Sequence, residues 1–170
     1  QYVIETALKS KCFDEVYVNS ESEIVKEIAL NCGAKFFKRD EKLCADDVGS
    51  DLFVEDFIKK IQCDTVVQIL PTSPFITEEQ MSDFVQKSKS CDTLISVKEI
   101  KIESMYNKQP INFDSKKPTP PSQHLTPIEA YACSLMAWKT PKYLENMKLF
   151  GSAYHGGSGT VDTFTVKGFG

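Results

Sequence analysis

What this chain lacks narrows it first. No apolar run in the 170 residues approaches the ~20 that a membrane-spanning helix needs. No opening segment reads as a secretory leader. The six cysteines, at 12, 32, 44, 63, 91 and 133, include no C-x-x-C pair, and there are only two histidines. A structural zinc site is therefore not expected, and reduced cysteines in a cytoplasmic protein are. A basic excess is also missing. Twenty Lys and Arg face 24 Asp and Glu, for a net charge of −4. That argues against nucleic acid or an anionic membrane as partner. Neither a G-x-x-x-x-G-K phosphate loop nor a G-x-S-x-G nucleophile elbow occurs, and no internal repeat is evident.

What is present has the rhythm of an α/β domain. Val3, Ile4, Ala7 and Leu8 recur at helical spacing, and "CFDEVYVN" then gives a strand around 15–19. Ser20 and Glu23 have the spacing of a capping box before a helix with Ile24, Val25, Ile28, Ala29 and Cys32 on one face, stopped by Gly33. "AKFF" is a short strand, and a fourteen-residue polar loop, "KRDEKLCADDVGSD", follows. Ser50 is placed to cap the next helix, with Val54, Phe57, Ile58 and Ile61 inward. "DTVVQIL" is apolar enough for a central strand. After "PTSP", Thr77 and Gln80 form another capping box before Met81, Phe84 and Val85, and "DTLISVKEI" is a further strand. Helices alternating with strands predict a doubly wound, mostly parallel sheet in one domain, 1–170. A helix that comes before any strand suggests a first strand missing in front, so the domain reads as N-terminally incomplete. Residues 104–130 break the pattern. They hold five of the eight prolines, and read as a linker, a surface hairpin or an arm. "YACSLMAWKT" returns to strand, Pro141 opens a short helix, and "GTVDTFTV" closes with a strand.

In such sheets ligands bind beyond the carboxyl ends of the strands, where helix N-termini receive anions. That places "VNSES", the polar loop and "PTSP" on one rim and points to a phosphorylated or carboxylated small molecule. Arg39 opens the loop, where it holds an anion or is simply solvated. Asp46 and Asp47 bind metal or solvate the loop. Asp162, in an apolar strand, calls for a partner such as Mg²⁺, or it caps the chain locally. His124 and His155 have no evident acid or cysteine partner. "GGSG" at 156–159 reads as a flexible turn.

Taken together, "ETALKSKCFDEVYVNSESEIVKEIALNCGAKFFKRDEKLCADD", "LPTSPF" and "TVDTF" resemble the acylneuraminate cytidylyltransferases, in order and spacing. That resemblance implies a Rossmann-like nucleotidyltransferase fold. It implies transfer of CMP from CTP to an acidic nine-carbon sugar, in-line at the α-phosphorus, with Mg²⁺ and release of pyrophosphate. Carried across, it implies Arg39, Asp46 and Ser50 at the nucleotide and Thr72, Ser73 and Gln123 at the sugar. Asp162 would lie at the metal, and 104–130 would be an arm that closes a homodimer. The family's N-terminal strand and CTP phosphate loop have no counterpart in these residues. Leu70, Ile76, Ser122, Ala132 and Thr160 stand where the family carries Gln, Arg, Arg, Asn and Asp. A catalytically inactive binding or assembly domain, or a related enzyme for another acidic sugar, are the alternatives.

Overall fold

A computed structural model describes residues 1–167, so Gly168 to Gly170 at the end of the "TVKGFG" tail lie outside the described residues. Helix α1 (Tyr2–Ser10) leads into strand β1 (Tyr17–Ser20), α2 (Glu23–Asn31) and β2 (Lys35–Lys38). Then come α3 (Ser50–Lys60), β3 (Thr65–Ile69), α4 (Glu78–Ser88) and β4 (Thr93–Ile100). A small antiparallel hairpin, β5 (Met105–Tyr106) with β6 (Gln109–Pro110), occupies the Pro-rich stretch. The long β7 (Ile128–Lys139), α5 (Thr140–Phe150) and β8 (Val161–Thr165) complete the chain. No helix of the described residues is long and apolar enough to cross a membrane.

The main sheet has the order β3-β7-β4-β8. β7 runs antiparallel to both β3 and β4, and β8 is parallel to β4, so β3, β4 and β8 share one direction. β1 and β2 pair in parallel as a separate ribbon. The sequence suggests a central β3, but the described residues leave β3 at a sheet edge, with β7 as its one partner.

Both faces of the main sheet are covered, as alternating side chains in a doubly wound fold require. On one face Val54 and Ile58 of α3 and Tyr143 and Met147 of α5 pack on Ile95, Val97, Met136 and Trp138. On the other, Ala7 of α1 and Met81 and Phe84 of α4 pack on Leu94, Leu135 and Ala137. The β1–β2 ribbon joins this body through side chains rather than through a strand ladder. Phe57 of α3 sets its ring edge-on against Tyr17 and Phe37, with centroids at 5.4 and 5.0 Å. Phe13 and Val16, just before β1, reach the core of the opposite face.

The caps explain where helices begin. Thr77 and Gln80 form the capping box that the sequence predicts. For α2 the cap is Ser22, whose hydroxyl accepts from the Val25 N–H, and Ser20 instead accepts from the Ser22 N–H. The Ser20–Glu23 spacing misplaced the cap by two residues because the strand continues through Ser20. α2 also buries less than its pattern predicts. Ala29 is inaccessible, while Ile24 is 72% exposed and Ile28 40%. Gly33 ends the segment with φ +87°, a conformation that an L side chain resists.

Candidate functional site

The carboxyl ends of the parallel β1 and β2 meet the first turn of α3 through Arg39, and the turn after β3 stands at the carboxyl end of its own strand. Arg39, the one arginine of the chain, lies just past β2. Its Nε donates to Asn19 Oδ1 at 2.9 Å and its Nη2 to the Asn19 carbonyl at 2.8 Å. Its guanidinium lies 4.6 Å from the centre of the Phe53 ring on α3. Two hydrogen bonds and a stacking surface hold the cation in a fixed orientation, which a merely solvated arginine does not have. Asp46 is exposed in the same loop.

Ser50 is not the cap of α3. Gly49 occupies that position and supplies no side-chain acceptor, and Ser50 is the first helical residue. No hydroxyl or carboxylate of the cap residue therefore satisfies the first N–H groups of α3, the place where an incoming anion gains most from the helix dipole. The Tyr154 phenol is half-buried, in the loop that follows α5. Desolvation by burial is the main reason that this phenol's pKa lies above the ordinary tyrosine value. Next to Ser50, Asp51 fastens the 152–154 loop. Its Oδ1 accepts from the Ala153 and Tyr154 N–H groups at 2.6 and 2.8 Å and from the Ser152 hydroxyl at 3.2 Å. Sequence reasoning passed over Asp51, although an acidic residue in a first helical turn is the available signal.

The turn after β3 splits the two hydroxyls between Pro71 and Pro74. Thr72 is exposed, whereas Ser73 is 6% exposed and donates to Ser134 Oγ of β7 at 3.0 Å. Ser73 therefore anchors the turn, and Thr72 is the hydroxyl presented outward. Leu70 extends the ladder by donating its N–H to the Ser134 carbonyl. Ile76 is buried in the core. Opposite the turn, β7 bulges. Between the pairs Ile95–Met136 and Val97–Tyr131, β4 advances two residues while β7 advances five. Cys133 within the bulge has φ +53°, a left-handed conformation unusual for a non-glycine residue. Gln68 Oε1, on β3, is buried with no partner among the described residues.

Two sequence candidates do not join this cluster. Gln123 is exposed in a short 3₁₀ turn of the Pro-rich segment, where its carbonyl accepts from Lys101 Nζ at 3.3 Å. Asp162 stands beside Leu94 near the start of β4, away from the carboxyl ends of the strands. Its Oδ2 pairs with Lys87 Nζ at 3.1 Å and its Oδ1 accepts the Thr163 N–H at 2.8 Å. Those two bonds, the backbone one first, hold its carboxyl below the usual range. A carboxylate already matched by a lysine fits an ion pair better than a Mg²⁺ ligand. Among the described residues no group of three or more His, Cys, Asp or Glu is placed to hold a metal ion.

Comparison with known proteins follows the same lines. The profile of the family described as Cytidylyltransferase matches residues 1–129. Pseudaminic acid cytidylyltransferase of Campylobacter jejuni (strain 81-176) is 32% identical over 139 residues, which cover 74% of this chain and 60% of that protein. The counterpart from C. jejuni strain NCTC 11168 is 35% identical over 92 residues, covering 51% of this chain and 40% of that one. The chain thus spans 40 to 60% of the length of these relatives. Among solved structures, CMP:2-keto-3-deoxy-manno-octonic acid synthetase superposes with TM-score 0.70 at 16% identity, over 98% of this chain and 78% of the other. The 4-diphosphocytidyl-2C-methyl-D-erythritol synthase of Anaerococcus prevotii gives 0.65 at 14% identity, over 97% and 80%. These superpositions agree with an α/β nucleotidyltransferase fold. By the match over residues 1–129, the chain belongs to the cytidylyltransferase family.

Proposed function

We propose that this chain is part of a cytoplasmic cytidylyltransferase that transfers CMP from CTP to an acidic, sialic-acid-like sugar and releases pyrophosphate. The observation that carries this reading is the family match over residues 1–129, whose curated relatives act, by their names, on pseudaminic acid and N-acylneuraminate. The geometry supports it. Arg39, held in place by Asn19 and Phe53, offers a fixed cation at the nucleotide side. The uncapped start of α3 offers N–H groups to an anion. Thr72 presents a hydroxyl at the sugar side, on a turn fixed by Ser73. In this reading catalysis consists mainly of positioning and charge neutralisation of an in-line displacement.

Mg²⁺ would supply charge neutralisation at the phosphates of CTP. Asp162 in its ion pair with Lys87 does not fit as its ligand, and we route no step through it. We further propose that a strand and a phosphate-holding loop outside residues 1–170 complete the domain. The unjoined β1–β2 ribbon, the edge position of β3 and the orphan Gln68 oxygen support this. The Pro-rich arm bears exposed Met105, Tyr106 and Ile111, a surface suited to a second copy of the chain.

The test is pyrophosphate release from CTP, Mg²⁺ and a panel of nine-carbon sugar acids. Residues 1–170 alone are expected to be inactive, and the chain extended through its natural upstream reading frame active. Turnover by 1–170 alone would overturn the need for the missing loop. An inactive extended chain would favour the second reading, a binding or assembly domain without chemistry, for which the Asp162–Lys87 pair and the apolar Leu70 and Ile76 speak.

A further inference from the structure

Arg39 is held differently from the other cations of the chain. Every ion pair of the described residues has a lysine as its cation, and Arg39 is in none of them. Both of its hydrogen bonds go to neutral oxygens of a single residue, the side-chain amide and the backbone carbonyl of Asn19. The Phe53 ring against its face is neutral too. A guanidinium has donors and no acceptor, so the Asn19 amide turns its oxygen toward it. Strand register sets this contact. Asn19 stands opposite Phe37 in the parallel β1–β2 pair, and the Arg39 N–H continues the ladder by donating to the Ser20 carbonyl at 3.0 Å. The two bonds from Asn19 take the Nε and Nη2 side of the guanidinium. Nη1 has no hydrogen bond among the described residues, so the Nη1–Nη2 end is the open one, with donors spaced for a phosphate or a carboxylate.

A carboxylate is close at hand. Glu21 lies near enough to feel the Arg39 charge, yet the two form no ion pair among the described residues. Its carboxyl is held below the usual range first by its own backbone N–H and by the Cys44 thiol, and then by the Arg39 charge. Glu21 Oε2 accepts from the Cys44 thiol and from the Ser20 hydroxyl, each at 3.5 Å. The nearby acid is thus engaged elsewhere, and the residue that holds the arginine is neutral. The chemistry of position 19 decides what the cation can do. An amide orients the guanidinium and leaves its charge uncompensated. A carboxylate in the same place would orient it equally well and cancel the charge.

We infer that Asn19 is a positioning residue for the nucleotide: it aims the open end of Arg39 at the anionic ligand and, being neutral, keeps the whole positive charge for it. The inference rests on the cytidylyltransferase reading and adds to it a residue that acts through Arg39 without needing to touch the ligand. It also separates two properties that a single substitution usually removes together. Orientation depends on an acceptor oxygen at position 19, and attraction depends on that oxygen carrying no formal charge.

Calorimetric titration of the full natural chain with CTP tests this. Arg39→Ala is expected to weaken CTP by about 30-fold, the order of a charge-assisted hydrogen bond, and Asn19→Ala by about 10-fold. In the Arg39→Ala background, Asn19→Ala should cost nothing further, because its effect passes through the arginine. Asn19→Asp keeps the size and the acceptor oxygen. It should keep or raise the melting temperature, through a new ion pair with Arg39, and still weaken CTP by about 10-fold. CTP bound as tightly by Asn19→Asp as by the natural chain overturns the inference, since orientation alone would then suffice. A loss from Asn19→Ala that persists when Arg39 is absent also overturns it, and marks a merely structural residue. Full CTP affinity in Arg39→Ala overturns the placement of Arg39 at the nucleotide together with the role of Asn19. A full chain that binds no CTP overturns the cytidylyltransferase reading itself.

Discussion

The four-stranded sheet and the β1–β2 ribbon are built from similar residues, yet they are held in different ways. In the sheet, Ile95, Val97, Leu135 and Met136 are all within 1% of full burial, and every interior strand is hydrogen-bonded on both edges. In the ribbon, the strands are four residues each, and Phe37 is the one residue of β1 and β2 that is buried. α2 above it leaves Ile24, Ile28 and Leu30 substantially exposed. The sheet is a core in its own right. The ribbon borrows its attachment from Phe13 and Val16, just before β1, and from the rings of Phe57 and Phe53 on α3. Yet the ribbon carries Arg39 and Asn19, so one corner of the candidate site sits on the weaker unit.

The sharpest way to break the comparison is to remove a side chain on each side of it. Trp138→Ala empties the centre of the sheet's core and is expected to lose about 4 kcal/mol, read as a lower urea midpoint by circular dichroism. A loss below about 1 kcal/mol would mean that the sheet does not depend on its core as described. Phe57→Ala removes a half-buried ring, and about 2 kcal/mol is expected. Its effect should be local. Amide exchange should accelerate at 17–20 and 35–38, while 93–97 and 135–138 keep their protection. Uniform loss of protection would show that ribbon and sheet unfold as one unit.

The smallest effect concerns pH. Burial pushes the Tyr143 phenol far above the ordinary tyrosine range, with the Asp51 charge adding to it, and its hydroxyl donates to the Asp51 carbonyl at 3.1 Å. A raised folded-state pKa means that the native state holds its proton more tightly than the unfolded one. This contribution is therefore complete below the unfolded value of about 10 and is lost as pH rises beyond it. Stability of the sheet should fall above about pH 10, and Tyr143→Phe should flatten that fall while costing about 1 kcal/mol at neutral pH for the lost hydrogen bond. An alkaline limb unchanged in Tyr143→Phe would assign the fall to another group.

Much of the architecture was legible because local signals agreed. Thr77 with Gln80, Gly33, Pro141 and the apolar strands each place an element where it is found. The misreadings have physical causes. Ser50 is a good cap by type, but the preceding Gly49 already has the extended backbone that the position needs. The direction of β7 could not be read, because a long connection permits either direction and the apolar pattern of a buried strand is the same in both. In the site, Arg39 was visible as a charged residue at a strand end. Its fixed orientation was not, since Asn19 lies twenty residues away in sequence. The family pattern offered Asp162 to a metal, but Lys87 on α4, a contact across 75 residues, takes its charge. The ring contacts of Trp138 with Tyr154, Tyr154 with His155 and His155 with Tyr131 stayed hidden for the same reason, because a strand and a distant loop supply them.

The free edges of β1 and β3 have a consequence for handling the molecule. Each offers a row of backbone donors and acceptors with no strand beside it among the described residues, and β3 contributes the apolar sequence Thr-Val-Val-Gln-Ile to one of them. No proline, lysine or bulge within β3 blunts that edge, as surface edges in soluble proteins commonly are. Expressed as residues 1–170, the chain should self-associate in a concentration-dependent manner and precipitate on storage. An added strand that fills the edge should restore solubility more effectively than any surface charge.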